Sequence, residues 1–518
     1  MIAIVKSTVL HGLEGQVVKV EVDVSKGLPC FDIVGLPDAT VRESKDRVRA
    51  AIKNSGLEFP VKRITVNLAP ADLKKEGPIY DLPIAVGILA ATEQLPLERC
   101  GLFVYIGELS LNGSLRAVTG ALPNVLAARE SSLSEVVVPA ENASESAVVE
   151  GINVFPANSL AELAGFLRGE IEIKPCKVEL TDLMKTSSVS ELDFSDVKGQ
   201  QAAKRSLEVA AAGAHNLIMV GSPGSGKTML ARRLPGILPE MTFEESIEVT
   251  KIYSLAGLLK PGLPLIINRP FRSPHHTAST IGLVGGGRIP RPGEISLAHQ
   301  GILFMDEMTE FQKDSLEALR QPLEDGIITI TRANASFTYP ARLMLVGALN
   351  PCPCGYYGDP VRECTCTPHQ AQRYITRLSG PLLDRIDISI EVPRLPYEEI
   401  SAADKPESSA AVKERVEAAR ERQRERFRPQ TEEGGRRQAP ACNAQMGPKE
   451  VRRYSVMNKA ARDLFREAFK RLSLSARSHD KILKVALTIA DLEGSELIAE
   501  HHLAEAIQYR SLDRSLLI

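Results

Sequence analysis

A glycine-rich octapeptide constrains this chain more than any other feature of its sequence. Residues 221–228 read GSPGSGKT and complete the pattern G-x-x-x-x-G-K-[ST]. An apolar run at 217–220 precedes them and a helix-forming segment follows, which is the strand–loop–helix context that the pattern requires. Successive backbone N–H groups in such a loop surround phosphate oxygens, and the helix N-terminus adds partial positive charge. The segment predicts a P-loop nucleotide site; a glycine turn that fits the pattern by chance is the alternative.

Each position of this loop has an expected role, with ATP and Mg²⁺ as the expected cofactors. Lys227 is expected to reach the β and γ phosphates, and Thr228 to bind the Mg²⁺ ion. The remaining cofactor-binding positions cradle the phosphates with their backbone: Gly221, Ser222, Pro223, Gly224, Ser225 and Gly226.

A second apolar run, at 302–305, ends in two adjacent carboxylates, Asp306 and Glu307. The run is typical of a buried strand that carries acids to the end of a parallel sheet. Asp306 is expected to complete the Mg²⁺ shell, and Glu307 to polarise the attacking water as general base. Taken alone, the pattern also fits an ordinary surface end of a strand.

Three further polar residues are candidates for the same site. Asn350 follows a third apolar strand and is placed to sense the γ-phosphate; a turn-capping role before Pro351 is the alternative. Arg385 is a candidate for stabilising transition-state charge in a neighbouring subunit. Arg477, at the start of the last helical segment, is a candidate for contacting the nucleotide. Each arginine has a surface salt bridge as its alternative role.

Composition narrows the function classes. The 518 residues hold 63 Lys and Arg against 65 Asp and Glu, a net charge of −2, so no global attraction to nucleic acid or membrane is expected. The longest apolar run is far shorter than the roughly 20 residues of a membrane span. The first residues lack the pattern of a secretory signal. We expect a soluble, cytoplasmic protein without a membrane partner.

The length suggests about three domains at about 150 residues each. Composition and patterning divide the chain into an α/β domain at 1–168, a linker at 169–195, an ATPase core at 196–395, a charged helix and flexible loop at 396–448, and a helical domain at 449–518. In the first domain we predict strands at 17–24, 64–67 and 135–138, and helices at 41–54 and 82–92. The first helix is expected to begin with a capping box formed by Thr40 and Glu43.

Four of the eight cysteines fall within one 15-residue window: Cys352, Cys354, Cys364 and Cys366. Four thiolates are enough for a closed tetrahedral Zn²⁺ site, although C-x-C is tighter than the usual spacing. His369 is a possible substitute for one ligand. Reduced free thiols and a redox switch are the alternatives.

These motifs, in this order, resemble the ComM/YifB family of magnesium-chelatase-like AAA+ ATPases over nearly the whole chain. The stretches that carry the resemblance are FSDVKGQQAAKRSLEVAAAGAHNLIMVGSPGSGKT, RPFRSPHHTASTIGLVGGGRIPRPGEISLAHQGILFMDE, LNPCPCG and SGPLLDRIDI. The resemblance implies a helix-2-insert AAA+ core with a C-terminal helical lid, working as a homo-hexameric ring. It makes Asn350 the sensor-1 residue, Arg385 the arginine finger and Arg477 the sensor-2 residue, acting in its own subunit or across the boundary.

The same resemblance gives meaning to two other segments. Residues 282–293 resemble the tip of the helix-2 insert, and residues 326–340 resemble the hairpin before sensor 1. Both are expected to face the central pore, where Arg288, Arg291 and Arg332 are candidates for contacting DNA phosphates; solvated loop arginines are the alternative. His275 and His276 are adjacent, and no further ligand lies near them in the sequence, so we expect structural roles.

The first domain resembles the Lon-protease-like domain, through KEGPIYD at 75–81 and GELSLNG at 107–113. In active peptidases of that family, Ser and Lys form the catalytic dyad. The serine position here carries Ile79, and the candidate lysine positions carry Leu122 and Asn124. No peptidase activity is expected, and a docking role fits better.

The resemblance implies an ATP-driven hexameric DNA translocase or helicase, acting on single-stranded or branched DNA in branch migration during homologous recombination or natural transformation. The motor subunit of a magnesium chelatase is one alternative. Against it stand the N-terminal domain, which chelatase motor subunits are expected to lack, and the four-cysteine insertion. An ATP-dependent switch that remodels a protein partner is another alternative.

Overall fold

The computed structural model describes residues 2–179, 192–260, 262–287, 290–332, 335–401, 406–428, 439–472 and 474–510. These residues fold into two compact units. The first comprises the described residues within 1–187, 243–267 and 331–339, and the second those within 188–242, 268–330 and 340–518. Within the described ranges, every helix is too short or too polar to cross a membrane.

The first unit is built on a seven-stranded mixed sheet of order β3-β4-β2-β1-β5-β8-β9, and β6 and β7 form a separate pair. Its strands are β1 (Ile2–His11), β2 (Glu14–Ser25), β3 (Cys30–Val34), β4 (Arg63–Ala69), β5 (Val104–Tyr105), β6 (Glu108–Leu109), β7 (Leu115–Arg116), β8 (Glu135–Pro139) and β9 (Asn153–Ala157). The alternation in β2 buries Val18, Val20 and Val22 on one face, as the two-residue period predicts. The strands predicted from the sequence in this unit are confirmed.

The helices of the N-terminal residues are α1 (Ala39–Asn54), α2 (Asp81–Ala91), α3 (Leu97–Cys100), α4 (Ala121–Glu130), α5 (Ala143–Ser146) and α6 (Leu160–Arg168). Every residue of α2 is buried. The predicted capping box of α1 is wrong. Asp38 caps the helix instead, and its carboxylate accepts the backbone N–H of Val41 at 2.7 Å, so Thr40 lies inside the first turn.

Residues 243–267 and 331–339 pack with the N-terminal residues, although the sequence division assigns them to the ATPase core. Leu265 is buried in the same apolar cluster as Val104 and Val125. The Ser254 hydroxyl donates to the buried Glu145 carboxylate at 2.6 Å. These long-range contacts place residues 243–267 in the first unit, and their position in the sequence alone does not reveal this.

The second unit contains a five-stranded parallel sheet of order β11-β14-β17-β10-β18. The strands after β9 are β10 (Leu217–Val220), β11 (Phe271–Arg272), β12 (Gly285–Gly286), β13 (Arg291–Pro292), β14 (Ile302–Met305), β15 (Ile327–Arg332), β16 (Ala335–Pro340), β17 (Met344–Leu349) and β18 (Ile388–Glu391). All residues of β10, β14 and β17 are buried. Because the strands are parallel, their carboxyl ends meet at one edge, where open α/β sheets bind ligands.

The helices after Arg168 are α7 (Gln201–Gly213), α8 (Lys227–Arg233), α9 (Phe243–Ala256), α10 (Thr280–Val284), α11 (Glu294–Leu297), α12 (Lys313–Glu317), α13 (Arg320–Asp325), α14 (Pro368–Ile375), α15 (Gly380–Leu383), α16 (Tyr397–Ser401), α17 (Ser409–Phe427), α18 (Pro448–Tyr454), α19 (Lys459–Leu472), α20 (Ala476–Glu493) and α21 (Glu500–Gln508). The last four fall in the segment predicted to be helical. Of the predicted linker and the predicted flexible loop, residues 180–191 and 429–438 lie outside the described residues.

A buried ionic cluster ties α20 to the sheet of the second unit. The Asp387 carboxylate lies 3.3 Å from the Lys481 ammonium and accepts the backbone N–H of Asn216 at 3.1 Å. The His215 ring lies 3.6 Å from the same carboxylate. Burial raises the pKa of Asp387, but Lys481 and His215 lower it more, so the pKa lies well below its usual range.

Candidate nucleotide site

The loop between β10 and α8 adopts a backbone that only glycine permits at several positions. Gly224 and Gly226 have φ values of +80° and +95°. A Cβ atom on Gly221 would lie 2.3 Å from the carbonyl oxygen of Val392, closer than atoms in contact can approach. The local sequence therefore determines the loop, and the loop presents its backbone above the first turn of α8.

Lys227 is held inside this loop and is 8% exposed. Its ammonium donates to the carbonyl oxygens of Gly221 at 2.5 Å and Ser222 at 3.0 Å, and to the Asn350 side-chain oxygen at 3.4 Å. Burial lowers the pKa of Lys227 to about 8, and the charges of Asp306 and Glu307 offset part of that effect. The structure thus brings the predicted phosphate lysine and the predicted sensor asparagine together.

Asp306 follows β14 directly and lies beside Thr228. The Thr228 hydroxyl donates to the Asp306 carboxylate at 2.8 Å. A hydroxyl and a carboxylate side by side are the hard oxygen ligands that Mg²⁺ prefers beside phosphate oxygens, so these residues fit the expected ion. Glu307 has a φ of +49°, and its carboxylate is 54% exposed at the sheet edge.

His276 belongs to this site, although the sequence predicts only a structural role for it. Its Nδ1 atom lies 3.5 Å from the Glu307 carboxylate, and its ring contacts that of His275 at 4.1 Å between centroids. The histidine pair follows β11, which pairs with β14 in the sheet. Because β11 has only two residues, the sequence carries too little pattern to reveal the position of this pair beside Glu307.

The two candidate arginines lie together and are engaged by other groups. Arg385 donates to the carbonyl oxygens of Arg320 at 3.1 Å and Pro381 at 2.6 Å, and it pairs with Glu324. Arg477 is 64% exposed and lies 3.6 Å from the carboxylate of Asp384, the neighbour of Arg385 in sequence. Among the contacts of the described residues, neither guanidinium hydrogen-bonds or ion-pairs with the P-loop of its own chain.

The four clustered cysteines converge just after Asn350. Their Sγ atoms all lie within 4.8 Å of one another. The Cys352–Cys354, Cys354–Cys364 and Cys352–Cys364 Sγ distances are 3.3, 3.6 and 3.7 Å. A tetrahedral zinc site with Zn–S bonds of about 2.3 Å has S···S edges of about 3.8 Å, so the donor set fits that ion. His369 is not part of this group.

The pore-facing candidates are only partly described. Arg291 lies in β13 and is exposed. Arg332 ends β15, and its side chain lies outside the described residues, as does the whole of Arg288. Phe337 of β16 packs against His11 of β1, with ring centroids 4.7 Å apart.

The positions at which the sequence resemblance expects a Ser–Lys dyad are apolar or engaged in a hydrogen bond. Ile79 packs partly buried against apolar core residues, and Leu122 is buried. The buried Asn124 donates to the Gly120 carbonyl oxygen at 2.8 Å. None of the three side chains is a nucleophile or a base.

Comparison with known proteins shows which family this chain resembles along its length. Residues 193–400 match the family described as magnesium chelatase, subunit ChlI, and residues 406–510 match the ChlI C-terminal family. The competence protein ComM of Haemophilus influenzae is 46% identical over 521 residues, which cover 99% of this chain and 98% of that protein. The chain belongs to the ComM/YifB family of magnesium-chelatase-like proteins. The protein YifB of Escherichia coli is 45% identical over 100% of this chain and 98% of its own.

Membership of this AAA+ family implies ATPase activity, with ATP and Mg²⁺ as the cofactors. Residues 20–142 match a family also described as subunit ChlI of Mg-chelatase. The magnesium-chelatase 67 kDa subunit of Chlorobaculum parvum is 27% identical over 162 residues, 30% of this chain and 23% of that protein.

Proposed function

We propose that this protein is an ATP-driven DNA translocase or helicase that assembles as a hexamer and promotes branch migration in homologous recombination or natural transformation. The observation that carries the proposal is the 46% identity to a competence protein, over nearly the full length of both chains. This chain also has a complete P-loop site. Competence concerns the uptake and integration of DNA, so a motor of this family that acts on DNA is the simplest reading of both facts.

In the proposed reaction, the site hydrolyses the bond between the β and γ phosphates of ATP. Lys227 and the loop N–H groups hold the phosphates, while Thr228 and Asp306 supply the ligands for Mg²⁺, which neutralises charge on the phosphate oxygens. Glu307 accepts a proton from water as the water oxygen bonds to the γ-phosphorus. The bond from that phosphorus to the ADP oxygen breaks, and ADP leaves with the bonding pair.

Asn350 and His276 have supporting roles: Asn350 lies on the phosphate side of the site, and His276 lies beside the general base. Asn350 is proposed to respond to the γ-phosphate, and its contact with the Lys227 ammonium at 3.4 Å supports this role. His276 contacts the Glu307 carboxylate at 3.5 Å and restrains its direction at an exposed position. We assign His276 a positioning role for the general base.

In a hexameric ring, Arg385 and Arg477 are proposed to act at the nucleotide of a neighbouring subunit. Arg385 and Arg477 pair with Glu324 and Asp384 rather than with the P-loop of their own chain. In a ring, a neighbour's nucleotide phosphates compete for these guanidinium groups, and an arginine finger of this kind stabilises transition-state charge. Arg385 is proposed as that finger and Arg477 as the sensor-2 residue.

DNA contact is proposed for Arg288, Arg291 and Arg332, through phosphates rather than bases. The net charge of −2 requires that any DNA surface be local, and such arginines supply a local one. The N-terminal unit, whose sequence resembles a Lon-protease-like domain without the dyad, is proposed as a docking domain for DNA or a partner. Zn²⁺ is proposed as the ion of the four-cysteine cluster, where it stabilises the loop after Asn350.

The motor of a magnesium chelatase is the second candidate, and the three ChlI family matches favour it. Against it, the identity to a chelatase subunit covers only 30% of this chain, whereas the identity to ComM covers 99%. A protein-remodelling switch is the third candidate and uses the same ATP site.

Steady-state ATP hydrolysis with and without forked or single-stranded DNA tests the proposal, with Lys227→Ala as the control. Marked stimulation by DNA, absent in the control, is expected. Robust hydrolysis that no DNA alters would reject the DNA motor and favour the chelatase or remodelling candidates.

A further inference from the structure

The four-cysteine loop contacts the P-loop as well as holding its thiols together. The Asp359 carboxylate accepts the backbone N–H groups of Val361 and Arg362, both at 2.9 Å. These two bonds close the turn between the two cysteine pairs.

The contact between the four-cysteine loop and the P-loop leaves no free space at Gly355. Gly355 is buried and has a φ of +85°, a conformation that favours glycine. A Cβ atom at this position would lie 2.6 Å from two carbons of the Pro223 ring and 3.9 Å from the side chain of Asn350. The Gly355 N–H donates to the Cys352 carbonyl oxygen at 2.9 Å, so the turn that seats Cys352 and Cys354 is the turn that touches the P-loop.

We propose that the four-cysteine loop is a part of the ATP site, and that Gly355 is a residue that positions the P-loop. A metal on the four thiols fixes the turn at 352–355, and this turn then holds Pro223 in place. Occupancy of the cysteine cluster thereby controls affinity for adenine nucleotide, and removal of the metal weakens nucleotide binding.

This inference rests on the nucleotide-binding part of the proposed function and on metal at the cysteines, and it needs no DNA. If the cluster only stabilises the fold, its loss lowers the unfolding temperature and leaves the nucleotide dissociation constant of the folded chain unchanged. If it positions the P-loop, the dissociation constant changes while the chain stays folded.

The experiment measures ADP binding to the full-length chain by calorimetry, and metal content by atomic emission, for the wild type and three variants. Gly355→Ala is expected to keep its metal and to bind ADP about tenfold or more weakly, because the added methyl displaces Pro223. Cys364→Ser is expected to lose its metal and to bind about tenfold more weakly.

Arg362→Gln is the matched control. Its guanidinium stacks on Tyr356 at 4.3 Å and bonds to its hydroxyl at 2.9 Å, within the same loop. It is expected to leave ADP affinity unchanged. Circular dichroism at the assay temperature confirms folding, and Gly355→Ala retains a full test if Cys364→Ser does not fold.

Wild-type affinity in Gly355→Ala, with only the unfolding temperature lowered, would overturn the inference. A wild-type chain purified without chelator that contains no metal would overturn its metal part. A wild-type chain that binds no nucleotide at all would refute the proposed function instead, so the two failures are distinguishable.

Discussion

The charge state of Lys227 makes nucleotide affinity depend on pH in a way that the structure predicts. In the nucleotide-free chain, burial lowers the pKa of Lys227 to about 8. Phosphate oxygens favour the ammonium form, so binding raises this pKa and takes up a proton wherever the free lysine is neutral. Raising the pH from 7.5 to 9 removes the charged form before nucleotide arrives and therefore weakens binding.

The magnitude follows from the fraction of lysine that is charged. With a pKa of about 8, roughly three quarters of the free chain carries the charge at pH 7.5 and about a tenth carries it at pH 9. The apparent dissociation constant for ADP should rise about eightfold over this interval. A lysine at its ordinary pKa of about 10.4 would change affinity by less than about 10% over the same interval.

Calorimetric titration of ADP at several pH values, in buffers of different ionisation enthalpy, measures affinity and proton uptake together. Uptake close to one proton is expected at pH 9 and little at pH 7.5. Lys227→Arg keeps its charge throughout, so its affinity should not vary over the interval. A constant affinity in the wild type, or the same pH slope in Lys227→Arg, would refute the reasoning.

Three other predictions follow from the same contacts. His276→Gln should lower the hydrolysis rate about tenfold and leave ADP affinity unchanged, whereas Glu307→Gln should lower it at least a hundredfold; equal rates in His276→Gln and wild type contradict the positioning role. Asp387→Asn leaves the buried Lys481 unpaired and should destabilise the fold by about 3–5 kcal/mol, read as a lower unfolding temperature at pH 7. Because the pKa of Asp387 is depressed, its contribution is present above pH about 4 and lost as the pH falls, so the variant and the wild type should converge in acid. The wild type should contain about one zinc per chain by atomic emission and Cys352→Ser almost none; equal contents contradict the four-thiol site.

The elements of the nucleotide site could be predicted from the sequence because each is a local pattern. One pattern is a glycine-rich loop after four apolar residues, and the other is a pair of carboxylates after four further apolar residues. Neither pattern needs long-range information to be recognised. Parallel strands then bring the ends of β10, β14 and β17 to one edge, which explains why Lys227, Asp306 and Asn350 lie together.

The features that the sequence did not reveal depend on contacts between distant segments. His276 reaches Glu307 because β11 pairs with β14, and a strand of two residues carries too little pattern to predict its neighbour. Residues 243–267 join the N-terminal unit through Leu265 and Ser254, and nothing local distinguishes these from residues of the ATPase core. The prediction of the α1 cap was wrong for a local reason. Asp38 and Thr40 are both favourable N-cap residues and lie only two positions apart.

Movement of a DNA junction is the most direct test of the central claim that ATP hydrolysis in this chain drives DNA translocation. Fluorescently labelled three-strand junctions with homologous arms, incubated with the protein, ATP and Mg²⁺, report strand exchange as branch migration. The account predicts exchange that requires ATP and is abolished in Lys227→Ala and Glu307→Gln. Hydrolysis of ATP by the wild type with no exchange of any junction, and no unwinding of forked DNA, would contradict it.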